Sequence, residues 1–418
     1  MTEAGPVAGA TNAATSPSIV VMKFGGTSVA TAEVRCAIAR RVLAAQELGA
    51  SPVVVVSAMG RAGAPYATDT LLSLVEGLPA DDRERDLLAS CGEVVSAVVV
   101  AHELRAAGVR ASALTGAEAG IGTDGVHGSA QITDIHPEPL LRAIANGVVP
   151  VVAGFQGMAE DGSLTTLGRG GSDTTACALG VALSAGTVEI YTDVDGVMSA
   201  DPRSCDGAEV LEVIRADELF QMARAGARVV NTPAAELALA SGLAVRVRNT
   251  YSDHPGTLVA DIASYKPDSP ATAVTKASGV SRMRVVLGAA EGSTAHMAAQ
   301  TRVYRAMADA GVSLDMFTPA GDSLFFTVAD TAAASACATL EALGMPCEVM
   351  PALAKVTLVG AAMHGVPGVM ARVAEHLSGA GVDVLQTADS HTTISVLVPA
   401  RDADKAVTAL HDGFGLGG

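Results

Sequence analysis

Two glycine-rich turns, each preceded by an apolar run, restrict the possible fold more than any other feature of this sequence. The first run covers 19–24 and leads into Gly25 and Gly26, and the second covers 149–155 and leads into a turn at 168–171. Short apolar runs of this kind indicate buried strands, and glycines at their ends let backbone N–H groups approach a ligand closely. The pattern predicts an α/β fold with a binding site at the carboxyl ends of its strands.

Strand-like and helix-like segments alternate through the first part of the chain. The predicted strands are 19–24, 53–58, 111–115, 149–155, 188–192 and 245–248, and the predicted helices include 32–48, 82–107, 177–185 and 216–225. This alternation is typical of layered α/β proteins with a mainly parallel sheet. Segments 127–133 and 157–166 are predicted to be hairpins that cover a substrate.

The alternation of strands and helices stops after Thr257, and residues 261–275 are predicted to be a linker. Beyond it a β-α-β-β-α pattern occurs twice. Its first copy is predicted at 283–287, 300–310, 313–317, 324–328 and 332–343, and its second at 356–359, 368–380, 382–387, 393–398 and 403–414. Such repetition predicts two small α+β modules, and a strand at 273–280 is expected to complete one of them.

Bulk properties exclude several classes of protein. The formal net charge of −17 argues against nucleic-acid and anionic membrane partners. We expect no membrane span, because internal glycines and charges interrupt the long apolar runs. Residues 1–17 are predicted to be a disordered tail without signal-peptide character. The six cysteines lack C-x-x-C spacing, which favours buried, reduced thiols in a cytoplasmic protein over disulfides or a zinc site.

Charged residues accompany both glycine turns. Lys23 stands at the end of the first apolar run, where a cation and small residues together suit a phosphate, although the spacing of a Walker A loop is absent. Arg169, in the second turn, offers a planar fork for a carboxylate or phosphate. Asp173 falls in the first turn of the following helix, where a simple dipole-complementing cap is the alternative to a role in the site.

Three motifs in this order resemble the aspartate kinases of the amino-acid-kinase superfamily. They are Lys23-Phe24-Gly25-Gly26-Thr27-Ser28, Gly168-Arg169-Gly170-Gly171-Ser172-Asp173 and Tyr191-Thr192-Asp193-Val194-Asp195-Gly196-Val197. The resemblance runs from about residue 18 to the C-terminus. It implies ATP-dependent phosphorylation of the β-carboxylate of L-aspartate, with Mg²⁺ as a cofactor, as the entry step to lysine, diaminopimelate, threonine and methionine.

The resemblance also implies a domain organisation. A layered α/β amino-acid-kinase domain with a mainly parallel central sheet is expected at 18–260, and two ferredoxin-like α+β ACT domains are expected at 276–350 and 351–418. ACT domains imply an amino-acid effector and a homodimer or higher oligomer.

The resemblance assigns roles residue by residue. Lys23 and Asp173 would be catalytic, with Asp173 orienting Lys23 through a hydrogen bond. The substrate set comprises Thr68, Glu93, Arg169, Gly170, Gly171 and Ser172. The nucleotide set comprises Lys23, Phe24, Gly25, Gly26, Ser57, Thr192, Asp193, Asp195, Arg203 and Arg228, and no residue is assigned to a metal.

Several of these residues allow a simpler interpretation from the sequence. Lys23 could be a solvated strand-end lysine, Glu93 an outward-facing helix residue and Thr68 a plain helix N-cap. The Asp201-Pro202-Arg203 segment could be a solvated turn.

The sequence departs from the family pattern in two places. Arg228 stands where the family usually has lysine, and Asn231-Thr232-Pro233-Ala234 lacks an arginine found in close relatives. Local motifs resemble the diaminopimelate-sensitive isoform most. A kinase for another amino-acid carboxylate and a catalytically silent ACT sensor are the alternative functions.

Overall fold

The chain forms two compact units, each with its own core. The computed structural model describes residues 18–79, 81–227, 229–260, 269–288, 291–361, 363 and 365–417. The first unit holds the described residues up to Asp193 with 243–245 and 250–252, and the second holds the remainder. The tail predicted at 1–17, most of the predicted linker and Arg228 lie outside the described residues.

The first unit alternates strands and helices as the sequence predicts. Its elements are β1 Ile19–Phe24, α1 Gly26–Val29, α2 Ala32–Glu47, β2 Ser51–Val56, α3 Thr68–Ser73, α4 Asp82–Ala106, β3 Ala111–Leu114, β4 Ile121–Thr123, β5 Ile132–Ile135, α5 Glu138–Ala145, β6 Val149–Ala153, β7 Gln156–Ala159, β8 Leu164–Thr166, α6 Gly171–Ala182 and β9 Thr187–Thr192.

A parallel sheet with the strand order β9-β1-β2-β6-β3 forms the centre of this unit. Its strands are buried valine-rich runs, as expected of parallel strands that are covered on both faces. Helix α4 packs on the sheet, and Val100 and Leu104 lie in one core with Val54 and Val151. All five strands therefore end at one edge, where the first glycine turn follows β1.

The hairpin predicted at 157–166 is confirmed, and 127–133 belongs to a longer hairpin that begins at Ile121; the two join in a second small sheet. Strand β4 pairs antiparallel with β5, and β7 pairs antiparallel with β8. Strands β4 and β7 pair in parallel, which gives the order β5-β4-β7-β8.

The second unit begins after Asp193. Its elements are β10 Val213–Ile214, α7 Ala216–Arg224, α8 Thr232–Ser241, β11 Val245–Asn249, β12 Thr257–Val259, β13 Ala273–Val286, α9 Thr294–Asp309, β14 Asp315–Ala320, β15 Ser323–Ala329, α10 Asp330–Ala342, β16 Cys347–Val359, α11 Val369–Gly379, β17 Gln386–Asp389, β18 Thr393–Pro399, a 3₁₀ turn Ala400–Asp402 and α12 Ala403–Phe414.

Two long antiparallel strands, β13 and β16, tie the predicted modules into a six-stranded sheet of order β14-β15-β13-β16-β18-β17. Residues 280–286 of β13 pair with β15, whereas Ala273 to Ser278 pair with the end of β16, which in turn pairs with β18. The start of β13 therefore completes the second module, as a strand at 273–280 was expected to do.

Three sequence-based expectations are wrong in detail. The strands predicted at 273–280 and 283–287 are one strand, because pairing with β16 continues through irregularities near Val280. The strand predicted at 356–359 begins already at Cys347. Cys36 and Cys91 are exposed rather than buried. Helix α4 is long and apolar enough to cross a membrane, although half of its most apolar stretch is buried within the unit.

Candidate active site

The first glycine turn connects the ends of three neighbouring strands. Ser57 N donates to Phe24 O at 3.1 Å, and Gly60 N donates to Gly26 O at 2.9 Å. A Cβ atom on Gly26 would lie 2.5 Å from Gly60 O, so only glycine permits this approach. The Phe24 ring stacks on Tyr191 at a centroid distance of 4.6 Å, which fixes the strand end beneath the turn.

An ion pair joins the two glycine turns. Lys23 Nζ lies 2.6 Å from Asp173 Oδ1, and each side chain is only 12% exposed. Lys23 is therefore not a solvated strand-end lysine. Asp173 is not a mere cap either, since the N-cap of α6 is Gly170 and the carboxylate bonds Lys23. The two charges come from segments far apart in sequence, since Lys23 lies near the end of β1 and Asp173 in the first turn of α6.

Glycines also shape the second turn. Gly170 adopts φ 77°, a left-handed conformation that favours glycine, and it begins α6. A Cβ atom on Gly171 would lie 2.8 Å from Leu167 Cβ and 2.9 Å from Phe155 Cδ2. Phe155 itself has φ 69°, and its N–H donates to Thr175 Oγ1 at 3.1 Å. The first N–H groups of α6 thus sit on a tightly fixed turn, as an anion site requires.

Glu93 lies on the buried side of α4, contrary to the outward-facing alternative. It is 3% exposed, and its Oε1 accepts a hydrogen bond from Ala58 N at 3.0 Å. Gly92 permits this contact, because a Cβ there would lie 2.7 Å from Ala58 Cβ. Burial raises the pKa of Glu93 from 4.5 to about 7, although the bond from Ala58 opposes that rise.

The second carboxylate oxygen of Glu93 is available to bind a ligand. Oε2 is buried and has no hydrogen-bond partner among the described residues. A buried acceptor without a donor is costly, and a cationic ligand would remove that cost. Glu93 is thereby suited to an ammonium group.

The other predicted substrate residues also lie in the first unit. Thr68 is the first residue of α3 and half-buried, and the N-cap is Ala67, so the N-cap interpretation of Thr68 is wrong. Ser172 is buried in the first turn of α6, and Arg169 is exposed on the turn before it. Ser57 is half-buried at the end of β2.

Two of the predicted nucleotide residues, Thr192 and Asp193, stand at the end of β9. Thr192 Oγ1 donates to Asp193 Oδ1 at 3.2 Å. Asp193 Oδ2 also pairs with Arg61 Nη2 at 2.7 Å, on the surface. The sequence reasoning missed Arg61, although it directly follows the Ala58-Met59-Gly60 strand end, where a ligand-facing cation could have been sought.

The remaining nucleotide residues belong to the second unit. Asp195 Oδ1 accepts a hydrogen bond from Asn249 Nδ2 at 2.8 Å. Arg203 makes a two-point pair with Asp201 through Nε at 3.0 Å and Nη2 at 2.7 Å. That pair raises the pKa of Arg203 and lowers the pKa of Asp201. The side chain of Arg203 is exposed, as the solvated-turn alternative requires.

Family models match both parts of the chain. The amino acid kinase family matches residues 18–249, and an ACT domain matches 348–412. Aspartokinase 1 of Bacillus subtilis is 44% identical over 405 residues, which cover 95% of this chain and 99% of that protein. The chain belongs to the aspartokinases of the amino acid kinase family. An aspartokinase of Corynebacterium glutamicum is 38% identical over 96% of this chain and 97% of its own length.

Solved aspartokinases share the fold. Aspartokinase III of E. coli in complex with aspartate and ADP (R-state) is 26% identical, has a TM-score of 0.79, and aligns over 95% of this chain and 100% of its own. The same enzyme with lysine and aspartate (T-state) is 27% identical, has a TM-score of 0.74, and aligns over 95% and 99% of the two chains. Membership of the aspartokinases makes this chain a kinase with an ACT-type regulatory region.

Proposed function

We propose that the strand ends of the first unit transfer the γ-phosphoryl group of ATP to the β-carboxylate of L-aspartate. The observation that carries this proposal is the sheltered Lys23–Asp173 pair beside Gly25 and Gly26. The E. coli relative, solved with aspartate and ADP, supports the choice of substrates.

Lys23 would stabilise the transferred phosphoryl group. The attacking carboxylate is already anionic, so the reaction needs no general base, and catalysis consists of positioning and charge neutralisation. Asp173 would hold the Lys23 ammonium in place between turnovers. The N–H group of Gly26 supplies a further donor for phosphate oxygens, whereas Gly25 N donates to Tyr191 O at 3.4 Å.

Glu93 and Arg169 would bind the amino-acid end of aspartate. The unpartnered Oε2 of Glu93 would accept from the α-ammonium group, and the Arg169 fork would bind the α-carboxylate. A bound ammonium favours ionised Glu93, which reverses the effect of burial on its pKa. Thr68, Gly170, Gly171 and Ser172 complete the proposed substrate site.

A further set of residues is proposed to bind the nucleotide. We assign this role to Phe24, Ser57, Thr192, Asp193, Asp195, Arg203 and Arg228, and Arg228 lies outside the described residues. The first-unit carboxylates Asp173 and Asp193 already pair with cations, so phosphates rather than protein would hold Mg²⁺. When bound, Mg²⁺ neutralises charge on the β- and γ-phosphates.

Regulation and assembly extend the proposal to the second unit. We propose domain limits of 18–260, 276–350 and 351–418, a cytoplasmic location, and a homo-oligomer formed through the ACT domains. The second module fits an amino-acid effector best, since Gly365 and Gly368 have φ 77° and 90°, and Gly368 begins α11. The lysine complex of the E. coli relative supports an amino-acid effector.

Hydroxylamine trapping tests the reaction directly. With ATP and L-aspartate we expect release of ADP and formation of the aspartyl hydroxamate, and much slower turnover with L-glutamate. Faster turnover with glutamate would instead favour the kinase for another carboxylate, and absence of ADP release with either would favour the silent sensor.

A further inference from the structure

A second buried carboxylate on α4, Asp86, ties the two halves of the proposed aspartate site together. It is 2% exposed. Gly128 N donates to both of its oxygens at 3.1 Å, and His127 Nδ1 lies 2.9 Å from Oδ2. Thr166 donates twice, through its N–H to Oδ2 at 3.1 Å and through Oγ1 to Oδ1 at 2.5 Å.

These donors satisfy both oxygens of Asp86, and no lysine or arginine is among them. Burying a carboxylate is costly unless hydrogen bonds compensate. The burial of Asp86 therefore depends on α4, the loop at 127–128 and the end of β8 staying in place. The donors lie 41, 42 and 80 residues along the chain from Asp86. A carboxylate that only capped α4 would bond its own neighbours, as Asp81 does with Arg83 N.

The segments bound by Asp86 carry the proposed substrate residues. Glu93 follows Asp86 by seven residues on the same helix, which is about two turns and returns to the same face. Thr166 ends β8 and precedes Arg169 by three residues.

The hairpin loop also lies against the turn that carries Arg169. Ala130 N donates to Thr166 O at 2.9 Å, and a Cβ on Gly168 would lie 3.4 Å from Gly128 O. Asp86 is thus bonded to a loop that itself packs on this turn.

We propose that Asp86 is a positioning residue that sets the distance between Glu93 and Arg169, and thereby the fit of the α-ammonium and α-carboxylate of aspartate. The inference rests on the proposed function, since it takes those two residues as the ligands of the amino acid. Asp86 itself acts only through α4, the hairpin loop and the end of β8.

The variant Asp86→Asn tests this role, and Asp124→Asn is its matched control. Asp124 lies in the same hairpin and accepts from Val126 N and Gln131 N at 3.1 Å, so its bonds are local. We expect Asp86→Asn to raise the KM for aspartate about 10- to 100-fold, with the KM for ATP within about twofold of the parent. Asp124→Asn should leave both constants unchanged.

A milder variant keeps the test decisive if Asp86→Asn does not fold. Thr166→Val removes one donor to Asp86 and preserves the side-chain shape, and we expect it to raise the KM for aspartate about fivefold. An unchanged aspartate KM in either folded variant, or an equal rise in both KM values, would overturn the inference. A parent enzyme that fails to phosphorylate aspartate would instead overturn the proposed function.

Discussion

At the proposed phosphoryl end of the site, Lys23 and Asp173 neutralise each other across 2.6 Å. At the amino-acid end, Glu93 is buried with one oxygen bonded to Ala58 N and the other without a partner in the described chain. The first arrangement is complete before substrate arrives, and the second becomes complete only when a cation binds. We infer that the phosphoryl end acts on the rate of the chemical step and the amino-acid end on substrate affinity.

The largest expected effect is at the phosphoryl end. Lys23→Ala should lower kcat by about 100-fold or more, because a contact to charge that develops in the transition state is worth about 3 kcal/mol. Steady-state kinetics measure this effect. Lys355→Ala is a matched control, since Lys355 also pairs with an aspartate, Asp315, but in the second unit. A kcat for Lys23→Ala within a few-fold of the parent would remove the phosphoryl role of Lys23.

At the amino-acid end, Glu93 should make the free energy of unfolding depend on pH. Because the pKa of Glu93 is raised from 4.5 to about 7, the folded state binds its proton more tightly than the unfolded state. Protonation of Glu93 therefore adds roughly 3 kcal/mol to the free energy of unfolding. This stabilisation is fully present below about pH 4.5 and is lost as the pH rises through about 7.

The variant Glu93→Gln isolates that contribution. It should be more stable than the parent at pH 8 and about equally stable at pH 5, as measured by denaturant unfolding at the two pH values. The stability gain would accompany weaker aspartate binding. Equal stability of both proteins at pH 8 would show that Glu93 has an ordinary pKa.

The variant Arg169→Lys tests whether Arg169 binds the α-carboxylate at the amino-acid end. Lysine keeps the charge but cannot form two parallel hydrogen bonds to a carboxylate, so the KM for aspartate should rise about tenfold and the KM for ATP much less. Arg61→Lys is the control, since the exposed Arg61 pairs with Asp193 on the nucleotide side. If the KM for ATP rose equally in Arg169→Lys, the arginine would belong with the phosphates.

The smallest effect is expected in the first ACT module. The N-cap of its helix α9 is the hydroxyl of Ser293, whereas the N-cap of α11 in the second module is Gly368. The first module also has Phe317-Thr318-Pro319 in β14, and none of these three side chains offers an amide to an amino-acid effector. Millimolar lysine plus threonine should therefore change activity less than about twofold at saturating ATP.

Any feedback should act through the second module, near Gly365 to Gly368 and Asp389 to His391, with meso-diaminopimelate as the first candidate. Gly368→Ala is strained at φ 90° and should weaken such inhibition, whereas Ser293→Ala should not. Strong inhibition by lysine plus threonine would contradict this interpretation of the first module.

Local sequence was sufficient to predict the limits of those strands and helices whose structure depends on one segment alone. Strand β1 and helix α12 match their predicted limits, since an apolar run and a helical apolar period define them without help from neighbours. Strand β16 was only partly predicted, because its first half is mostly exposed and contains Pro351. Pairing with β13 determines that half, and the local pattern does not contain it.

The site was predictable in its residue types more than in its contacts. The glycine turns identified Lys23, Arg169 and Asp173, because these residues lie in short motifs whose residue types are typical of anion-binding sites. The sequence showed that Glu93 interrupts an apolar helix, but the bond from Ala58 that leaves one oxygen open depends on tertiary packing. Asp86 escaped the sequence reasoning because its partners lie 41 to 80 residues away in the chain.

Calorimetric titration of L-aspartate without nucleotide tests the division between the two ends most directly. The account predicts that Lys23→Ala binds aspartate within about threefold of the parent affinity, whereas Glu93→Gln binds it at least about tenfold more weakly, since an ammonium loses its anionic partner. Loss of aspartate affinity in Lys23→Ala with retention in Glu93→Gln would contradict the assignment of the two ends.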